Sequence, residues 1–194
     1  QNTPLRDELL FLPLGGAGEI GMNLNLYGFG GKWIMVDCGI TFADDSMPGI
    51  DIILPDPQFI EERSKDLLGL LLTHAHEDHI GAVAHLWPRF KCPVYATPFT
   101  SALVAAKLEE AGLLGDVPLN IVPLSGSVTL GDFEVRYIPI THSIPEAHSL
   151  SVKTPAGTVL HTGDWKLDPM PVDGDATDPE PFRALGDEGV LAMV

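Results

Sequence analysis

The chain has 194 residues, of which 45% are hydrophobic and 20% are charged, and its formal net charge is -16. This length supports one sizeable core, and the hydrophobic content excludes intrinsic disorder, which combines low hydrophobicity with high net charge. The acid excess argues against a surface that grips nucleic acid by bulk electrostatics, because phosphate binding relies on Lys and Arg.

The sequence predicts neither a membrane span nor a secretion signal. No run of about 18 apolar residues occurs, and the polar start, residues 1–8, lacks the basic-then-apolar layout of a signal peptide. The two cysteines, Cys38 and Cys92, are too few for a disulfide framework. We therefore expect a cytoplasmic protein with two reduced, buried thiols.

The first half of the chain predicts a sheet with an antiparallel start. Short apolar runs predict strands at 9–14, 22–29, 32–37 and 67–72. Residues 28–31 are glycine-rich and supply the permissive backbone that a hairpin needs. The run at 67–72 is almost continuously apolar, as in a strand covered on both faces. Apolar residues at helical spacing then predict a helix from His79 to Trp87, closed by Pro88.

The second half adds strands around one long helix. Thr97 and Pro98 predict the N-cap and first turn of a helix that continues to about Ala111 and stops at Gly112. A Pro-Ala-Gly sequence at 155–157 predicts the last hairpin turn. Further strands are predicted at 94–96, 119–123, 127–130, 134–140, 149–154 and 158–161.

Beyond Asp164 the composition changes. Residues 168–180 predict a long surface loop, 181–185 a helical turn and 189–194 a final strand. The predicted fold class is therefore mixed α/β (α+β), with many antiparallel strands.

The strongest chemical signal is a cluster of four metal-capable side chains, His74, His76, Asp78 and His79, at the end of the predicted strand 67–72. In extended backbone, positions two apart point the same way. His74 and His76 can thus bind one ion, while Asp78 and His79 face a neighbouring ion. The sequence predicts two adjacent divalent ions. The alternative, a polar loop with coincidental histidines, is weaker because three of the seven histidines fall here.

Two later residues follow predicted strands in the same way, His142 and Asp164. Loops at the ends of a rigid scaffold are where sites are usually built. A carboxylate can bridge two ions, and Asp164 is the natural candidate. For either residue taken alone, a strand-end cap is the alternative.

Other conspicuous residues stay outside this predicted ligand set. We expect His85 to be a packing or surface residue and His161 to be structural, whereas His148 could line the pocket. Ser143 and Ser149 have no partnered base in the sequence, so a serine nucleophile is weakly supported.

The glycines of residues 15–21 fit a dinucleotide-binding pattern at Gly16, Gly18 and Gly21. No βαβ unit follows, since the next segment is a predicted hairpin. We instead expect a close turn over the floor of an active site.

Taken together, these motifs resemble the metallo-β-lactamase superfamily and, within it, the β-CASP ribonuclease J family. Ala75 departs from that family, which often has glycine there. The resemblance implies an αββα sandwich in which residues 1–194 are the N-terminal portion of an incomplete domain, without the β-CASP and C-terminal domains. The matching segments are residues 12–23, 36–39, 49–51, 73–81, 141–145, 161–168 and 171–174.

The resemblance also implies a ligand set. One ion would take His74, His76, His142 and Asp164. The other would take Asp78, His79, Asp164 and a histidine from a later part of the longer protein. Asp37 matches an aspartate that orients the site. Asp78, His79 and Asp164 are the expected catalytic residues.

The implied function is a metal-dependent hydrolase that cleaves RNA by 5′→3′ exonucleolytic and endonucleolytic modes in RNA decay and processing, ribosomal RNA included. Its nucleophile would be a water activated between the two ions. The His-rich ligands favour zinc, and the carboxylates leave manganese or magnesium open. The expected partners are an RNA substrate, bound mainly through the absent domains, and further copies of the full-length protein, but no membrane.

Two other functions remain open. One is a small-molecule hydrolase of the same superfamily that acts on a thioester, lactone or β-lactam. The other is an inactive metal-binding scaffold. The resemblance implies that this chain alone lacks the late histidine and has no complete second metal position.

Overall fold

The computed structural model of the chain describes residues 7–194. Residues 1–6, most of the polar start on which the expected absence of a signal peptide depends, lie outside the described part. The strands are β1 (Leu10–Gly15), β2 (Leu24–Phe29), β3 (Lys32–Val36), β4 (Thr41–Phe42), β5 (Ile52–Ile53), β6 (Leu67–Leu71), β7 (Val94–Ala96), β8 (Leu119–Ile121), β9 (Ser127–Leu130), β10 (Phe133–Pro139), β11 (His148–Thr154), β12 (Gly157–His161) and β13 (Ala192–Met193). The helices are α1 (Gln58–Glu61), α2 (Glu77–Ile80), α3 (Val83–Phe90), α4 (Pro98–Glu110) and α5 (Glu180–Glu188), with a 3-10 turn at Ser64–Asp66.

Two sheets form the scaffold, and β4 and β5 form a separate two-stranded ribbon. The first has the order β1-β2-β3-β6-β7-β8 and the second the order β13-β12-β11-β10-β9. β1, β2 and β3 pair antiparallel, and β3, β6, β7 and β8 pair parallel. The second sheet is antiparallel except for the β12-β13 pair. The predicted antiparallel start is confirmed, with Gly30 and Gly31 as the turn between β2 and β3.

Apolar side chains fill the space between the sheets and the space under the helices. Ile34 and Val36 of β3 pack with Val135 and Leu150 of the second sheet in one buried cluster. Strand alternation sends Trp33 and Met35 to the opposite face. There, in a second cluster, they meet buried residues of α1, α3 and α4, such as Ile60, Trp87 and Val104.

Helix α5 lies on the outer face of the second sheet. Its Phe182 lines a cavity of about 670 Å³ together with Leu160, Trp165 and Met193. The layering is therefore helix, sheet, sheet, helix, which confirms the predicted mixed α/β fold class. No helix in residues 7–194 has the length and apolar character needed to cross a membrane.

The predicted helix from His79 to Trp87 is wrong in its bounds. The structure has two short helices here, α2 and α3, and Pro88 lies inside α3. Proline removes one backbone hydrogen bond and disturbs the preceding turn. The helix continues for two residues because Trp87 and Phe90 are buried in the core, and it ends at Lys91 in a left-handed conformation.

Helix α4 begins and ends where the sequence predicts, but its cap is different. Thr97 makes no side-chain capping bond, and its hydroxyl has no partner. Instead, the amide of Phe99 donates to the Glu146 carboxylate at 2.8 Å, from a loop distant in sequence. Pro181–Leu185 also belongs to a longer helix than predicted, α5, and the last strand is shorter. Cys38 and Cys92 are buried free thiols, and burial raises the pKa of Cys92 to about 12.

Candidate metal centre

The carboxyl-terminal end of β6 carries a close group of polar side chains. Thr73 and His74 are fully buried just beyond the strand. Short α2 begins at Glu77, so the chain turns between His76 and His79. The extended strand end therefore presents His74 and His76, and the turn presents Asp78 and His79.

Asp37, just after β3, forms hydrogen bonds with residues at both ends of this turn. The residue is fully buried and has a φ angle of 62°, a left-handed conformation rare for a non-glycine residue. Its Oδ1 accepts the Thr73 amide at 2.8 Å, and its Oδ2 accepts the Thr73 hydroxyl at 2.9 Å and His79 Nδ1 at 2.8 Å. A single carboxylate thus fixes both the strand end and the histidine ring.

These hydrogen bonds determine which ring nitrogens of His79 and His74 face the cluster. With His79 Nδ1 donating to Asp37, its Nε2 faces the cluster. The Thr73 hydroxyl gives its proton to Asp37, so it accepts from His74 Nδ1 at 2.9 Å and leaves His74 Nε2 free. Fixing the tautomer of a metal-binding histidine through its second nitrogen is the usual arrangement in metal sites.

Three histidines converge beside this point. His76 Nδ1 lies 3.1 Å from His74 Nε2 and 3.1 Å from His142 Nε2. His142 follows β10, in the second sheet, so the stacking of the two sheets creates this group. Nitrogens bound to zinc at about 2.0 Å in a tetrahedron lie about 3.3 Å apart. The spacing of the three nitrogens fits a metal ion.

Asp164 joins the histidines to the rest of the cluster. Its Oδ1 lies 3.5 Å from His79 Nε2 and its Oδ2 lies 3.8 Å from His142 Nε2. Asp78 Oδ2 lies 3.5 Å from the same His79 nitrogen. Two overlapping groups can each hold an ion by their geometry, His74-His76-His142 and His74-His79-Asp164. The structure therefore brings together all six residues that the sequence predicts as ligands.

Comparison with known proteins agrees with this arrangement. The family described as Metallo-beta-lactamase superfamily matches residues 23–186. The chain belongs to the metallo-β-lactamase superfamily.

Curated relatives within the superfamily are named ribonuclease J. The protein of Sinorhizobium meliloti is 48% identical over 192 residues, which cover 97% of this chain and 34% of the relative. The Mycobacterium tuberculosis protein is 44% identical, over 91% of this chain and 32% of the relative. The chain thus spans about a third of the length of the curated relatives it matches.

Solved structures share the fold at low identity. A protein of unknown function from Enterococcus faecalis V583 superposes with a TM-score of 0.59 at 19% identity, over 82% of this chain and 44% of that one. The metallo-beta-lactamase fold protein YhfI from Bacillus subtilis gives a TM-score of 0.53 at 17% identity, over 79% of this chain and 62% of that one.

The pKa shifts of the histidines differ between the two parts of this site. Burial, followed by the neighbouring His79, lowers the pKa of His74 to about 3, so the His74 ring is neutral, as a metal ligand must be. Burial alone would lower the pKa of His79, but the Asp37 charge and the surrounding carboxylates raise it well above its usual value. The hydrogen bond with His79 is the main cause that lowers the pKa of Asp164 to about 2.

The remaining histidines lie apart from the ligands. His85 is exposed on α3, so of the two expected roles, packing or surface residue, it has the second. His161 Nδ1 pairs with the Tyr27 hydroxyl at 2.9 Å, so the structural role is confirmed. His148 is buried against the Tyr137 ring, and its Nδ1 donates to the Glu146 carbonyl at 2.8 Å. It is not among the grouped ligands of the described residues.

Sequence reasoning missed Asn23 at this superfamily site. Its side-chain Nδ2 lies 3.1 Å from the Asp78 carbonyl and 3.2 Å from His79 Nε2. The glycine-rich residues before it form the expected close turn, and the β2-β3 hairpin follows instead of a helix, which excludes the dinucleotide interpretation. The single available signal was the position of Asn23 at the end of that turn.

Proposed function

We propose that this chain forms the metal-binding part of a ribonuclease of the ribonuclease J type. The observation that carries the proposal is the convergence of ring nitrogens and carboxylates from both sheets on one point, within a superfamily that uses divalent metal ions. The choice of RNA as substrate is supported by the ribonuclease J relatives, the first of which is 48% identical.

The proposed ligand assignment keeps the first group and takes His79 and Asp164 from the second, with Asp78 in the place of His74. His74, His76 and His142 hold one ion, Asp78 and His79 hold the other, and Asp164 is shared. A later histidine of the longer protein would complete the second position. The histidine-rich donors favour zinc, with manganese or magnesium as alternatives for the carboxylate-rich position. When bound, such ions supply Lewis acidity that activates water at neutral pH and offsets charge on phosphoryl oxygens.

The chain's own residues prepare this chemistry before any ion binds. Thr73 and Asp37 hold Nδ1 of His74 and His79, so the Nε2 atoms of both rings face the site. Asp164 is 45% exposed, which leaves the cluster open to a phosphodiester on that side. In-line attack by water would leave a 5′-phosphate and a 3′-hydroxyl, in exonucleolytic or endonucleolytic mode.

RNA would be held mainly by parts of the longer protein that this chain does not span. Most basic side chains of the described residues are already paired with carboxylates, so few are available for phosphates. The pairs are Lys32–Asp66, Arg63–Glu62, Arg89–Glu61, Lys107–Glu77, Lys166–Asp168 and Arg183–Glu180. We accordingly propose that residues 1–194 are one portion of a larger, multidomain nuclease that works in the cytoplasm as an oligomer.

The test places this chain in a complete enzyme. Its residues replace the segment of the Sinorhizobium meliloti relative with which they align over 192 residues. The product is then assayed with 5′-monophosphorylated RNA, a thioester and a chromogenic β-lactam. We expect RNA cleavage alone, lost in His76→Ala and kept in His85→Ala, a histidine exposed on α3.

Three results would contradict the proposal. Turnover of the thioester or lactam without RNA cleavage would indicate a small-molecule hydrolase. Bound metal with no turnover of any substrate would indicate a scaffold. RNA cleavage that survives His76→Ala would remove the histidine cluster from the mechanism.

A further inference from the structure

We propose that Asn23 is a positioning residue that holds Asp78 and His79 in the geometry needed to bind one of the two ions, and that the glycine-rich residues 15–22 serve to seat its side chain. The inference rests on the proposed function, because it assumes that Asp78 and His79 bind metal. It adds to that function a residue outside the ligand set and a role for an otherwise unexplained loop.

Asn23 contacts Asp78 through both its backbone and its side chain. Its amide nitrogen donates to the Asp78 carbonyl at 2.9 Å, and its Nδ2 lies 3.1 Å from the same oxygen and 3.5 Å from Asp78 Oδ2. The oxygens of Asp78 can only accept hydrogen bonds, so the donor end of the Asn23 amide must face them. Asn23 therefore holds the Asp78 backbone firmly and approaches its carboxylate from one side.

The same amide nitrogen reaches His79. Nδ2 of Asn23 lies 3.2 Å from His79 Nε2, while Asp37 holds Nδ1 of that ring at 2.8 Å. Asn23 precedes β2 and Asp37 follows β3, so side chains at the ends of two neighbouring strands border the imidazole ring. Side-chain partners that orient ligands in this way typically change metal affinity by about 10–100-fold when removed.

The glycine loop leaves no room for side chains around Asn23. A Cβ built on Gly16 would lie 2.2 Å from Asn23 Oδ1, and one on Gly15 would lie 2.2 Å from the Met22 carbonyl. Gly16 and Gly18 both have left-handed φ angles, 83° and 77°, yet a Cβ on Gly18 would meet nothing within 4 Å. The close approach to Asn23 is thus a property of Gly16 and not of every glycine in the loop.

The contacts of Asn23 are confined to one part of the cluster. Within residues 7–194, the hydrogen bonds of its side chain go to Asp78 and His79. His76 and His142 are tied to each other and to His74 instead. We therefore expect the ion position beside Asp78 and His79 to depend on Asn23, and the position beside His76 and His142 to be independent of it.

The test is a zinc titration, by calorimetry, of the metal-stripped complete enzyme described above, in which the later histidine of the relative completes the second ion position. Thermal unfolding is recorded for every variant. Asn23→Leu keeps the approximate volume of the side chain and removes the donors. We expect it to weaken the binding step that depends on Asp78 by about 10–100-fold and to leave the step that His76→Ala abolishes unchanged. Asn25→Leu, a change at a buried asparagine of β2, is the matched control and should leave both steps unchanged.

A second pair of variants tests the loop itself. Gly16→Ala and Gly18→Ala introduce the same backbone strain, but only the first pushes on Asn23. We expect a loss of zinc affinity at the Asp78 position in Gly16→Ala alone. Equal losses in both variants, or loss in neither, would contradict the role given to the loop.

The outcomes separate this inference from the proposed function. If the unaltered complete enzyme binds no zinc at His74, His76 and His142, the proposed function fails. If it binds zinc there and Asn23→Leu changes both steps equally, or changes only the unfolding temperature, Asn23 is merely structural. Crystal structures of the metal-free variants supply a second measurement. An Asp78 carboxylate that keeps its position in Asn23→Leu would overturn the inference whatever the titration shows.

Discussion

The two sides of the proposed metal centre are supported in different ways. On the aspartate side, Asn23 holds the Asp78 backbone and Asp37 holds His79 Nδ1, and the side chains of His79 and Asp78 are 3% and 29% exposed. On the histidine side, His76 and His142 have one another and His74 as partners, and His142 is 18% exposed. The first side is preorganised by the fold, whereas the second forms where loops from two sheets meet.

The difference is visible in the backbone as well. The Asp78 carbonyl accepts from the Asn23 amide at 2.9 Å, and the His79 carbonyl accepts from the Cys38 amide at 2.7 Å. A Cβ on Gly39 would lie 1.7 Å from the Asp78 carbonyl, so only glycine fits beside it. We expect that perturbing the aspartate side costs folding stability as well as metal affinity, whereas perturbing the histidine side costs mainly affinity.

Asp164 links the two sides, and its removal should have the largest effect. Asp164→Ala takes a carboxylate from both His79 and His142. We expect the complete enzyme to lose activity by a factor on the order of 10⁴, the scale seen when a central catalytic group is removed. Both zinc-binding steps should weaken together in calorimetry. Weakening of one step alone would show that Asp164 does not connect the sides.

Asp37→Ala should damage the aspartate side through folding. Asp37 is fully buried and holds Thr73 and His79, so its loss leaves a histidine and a backbone amide unpaired. Removing one partner of a buried ion pair typically costs about 3–5 kcal/mol in the free energy of unfolding. Urea unfolding of the metal-free chain measures this. Asp45→Ala, at an exposed position, is the control and should change stability by less than about 0.5 kcal/mol.

Thr177→Val should act weakly and on the histidine side. Thr177 Oγ1 accepts the Thr141 amide at 2.9 Å and lies 2.9 Å from the Thr141 hydroxyl, next to His142. Losing this tether should lower the free energy of unfolding by about 1 kcal/mol and weaken only the zinc step that depends on His142. Thr129→Val, exposed on β9, is the matched control. An effect confined to the Asp78 step would reverse the comparison between the two sides.

The ligand cluster was predictable because its geometry is local. His74 and His76 share a face of an extended strand end, and two-residue spacing is readable in any sequence. His142 and Asp164 were predictable as strand-end residues, although their approach to His76 and His79 depends on how the sheets stack. That approach became an expectation through the resemblance to a known family.

The contacts of Asn23 and the cap of α4 could not be predicted, and the physical reason is the same for both: each depends on a partner distant in sequence. Asn23 reaches Asp78 across 55 positions in sequence, and Glu146 reaches Phe99 across 47. Thr97 has the right residue type for a cap and makes no capping bond. Local propensity identifies a helix start, but the partner that satisfies its amides depends on the tertiary fold.

The central claim is that the two sides bind two separate ions that share Asp164. It is tested most directly by anomalous diffraction from zinc-soaked crystals of the complete enzyme that carries this chain. We expect two peaks, one bounded by His74, His76 and His142 and one beside Asp78 and His79, with Asp164 between them. A single peak midway between the sides, or peaks remote from these residues, would contradict it.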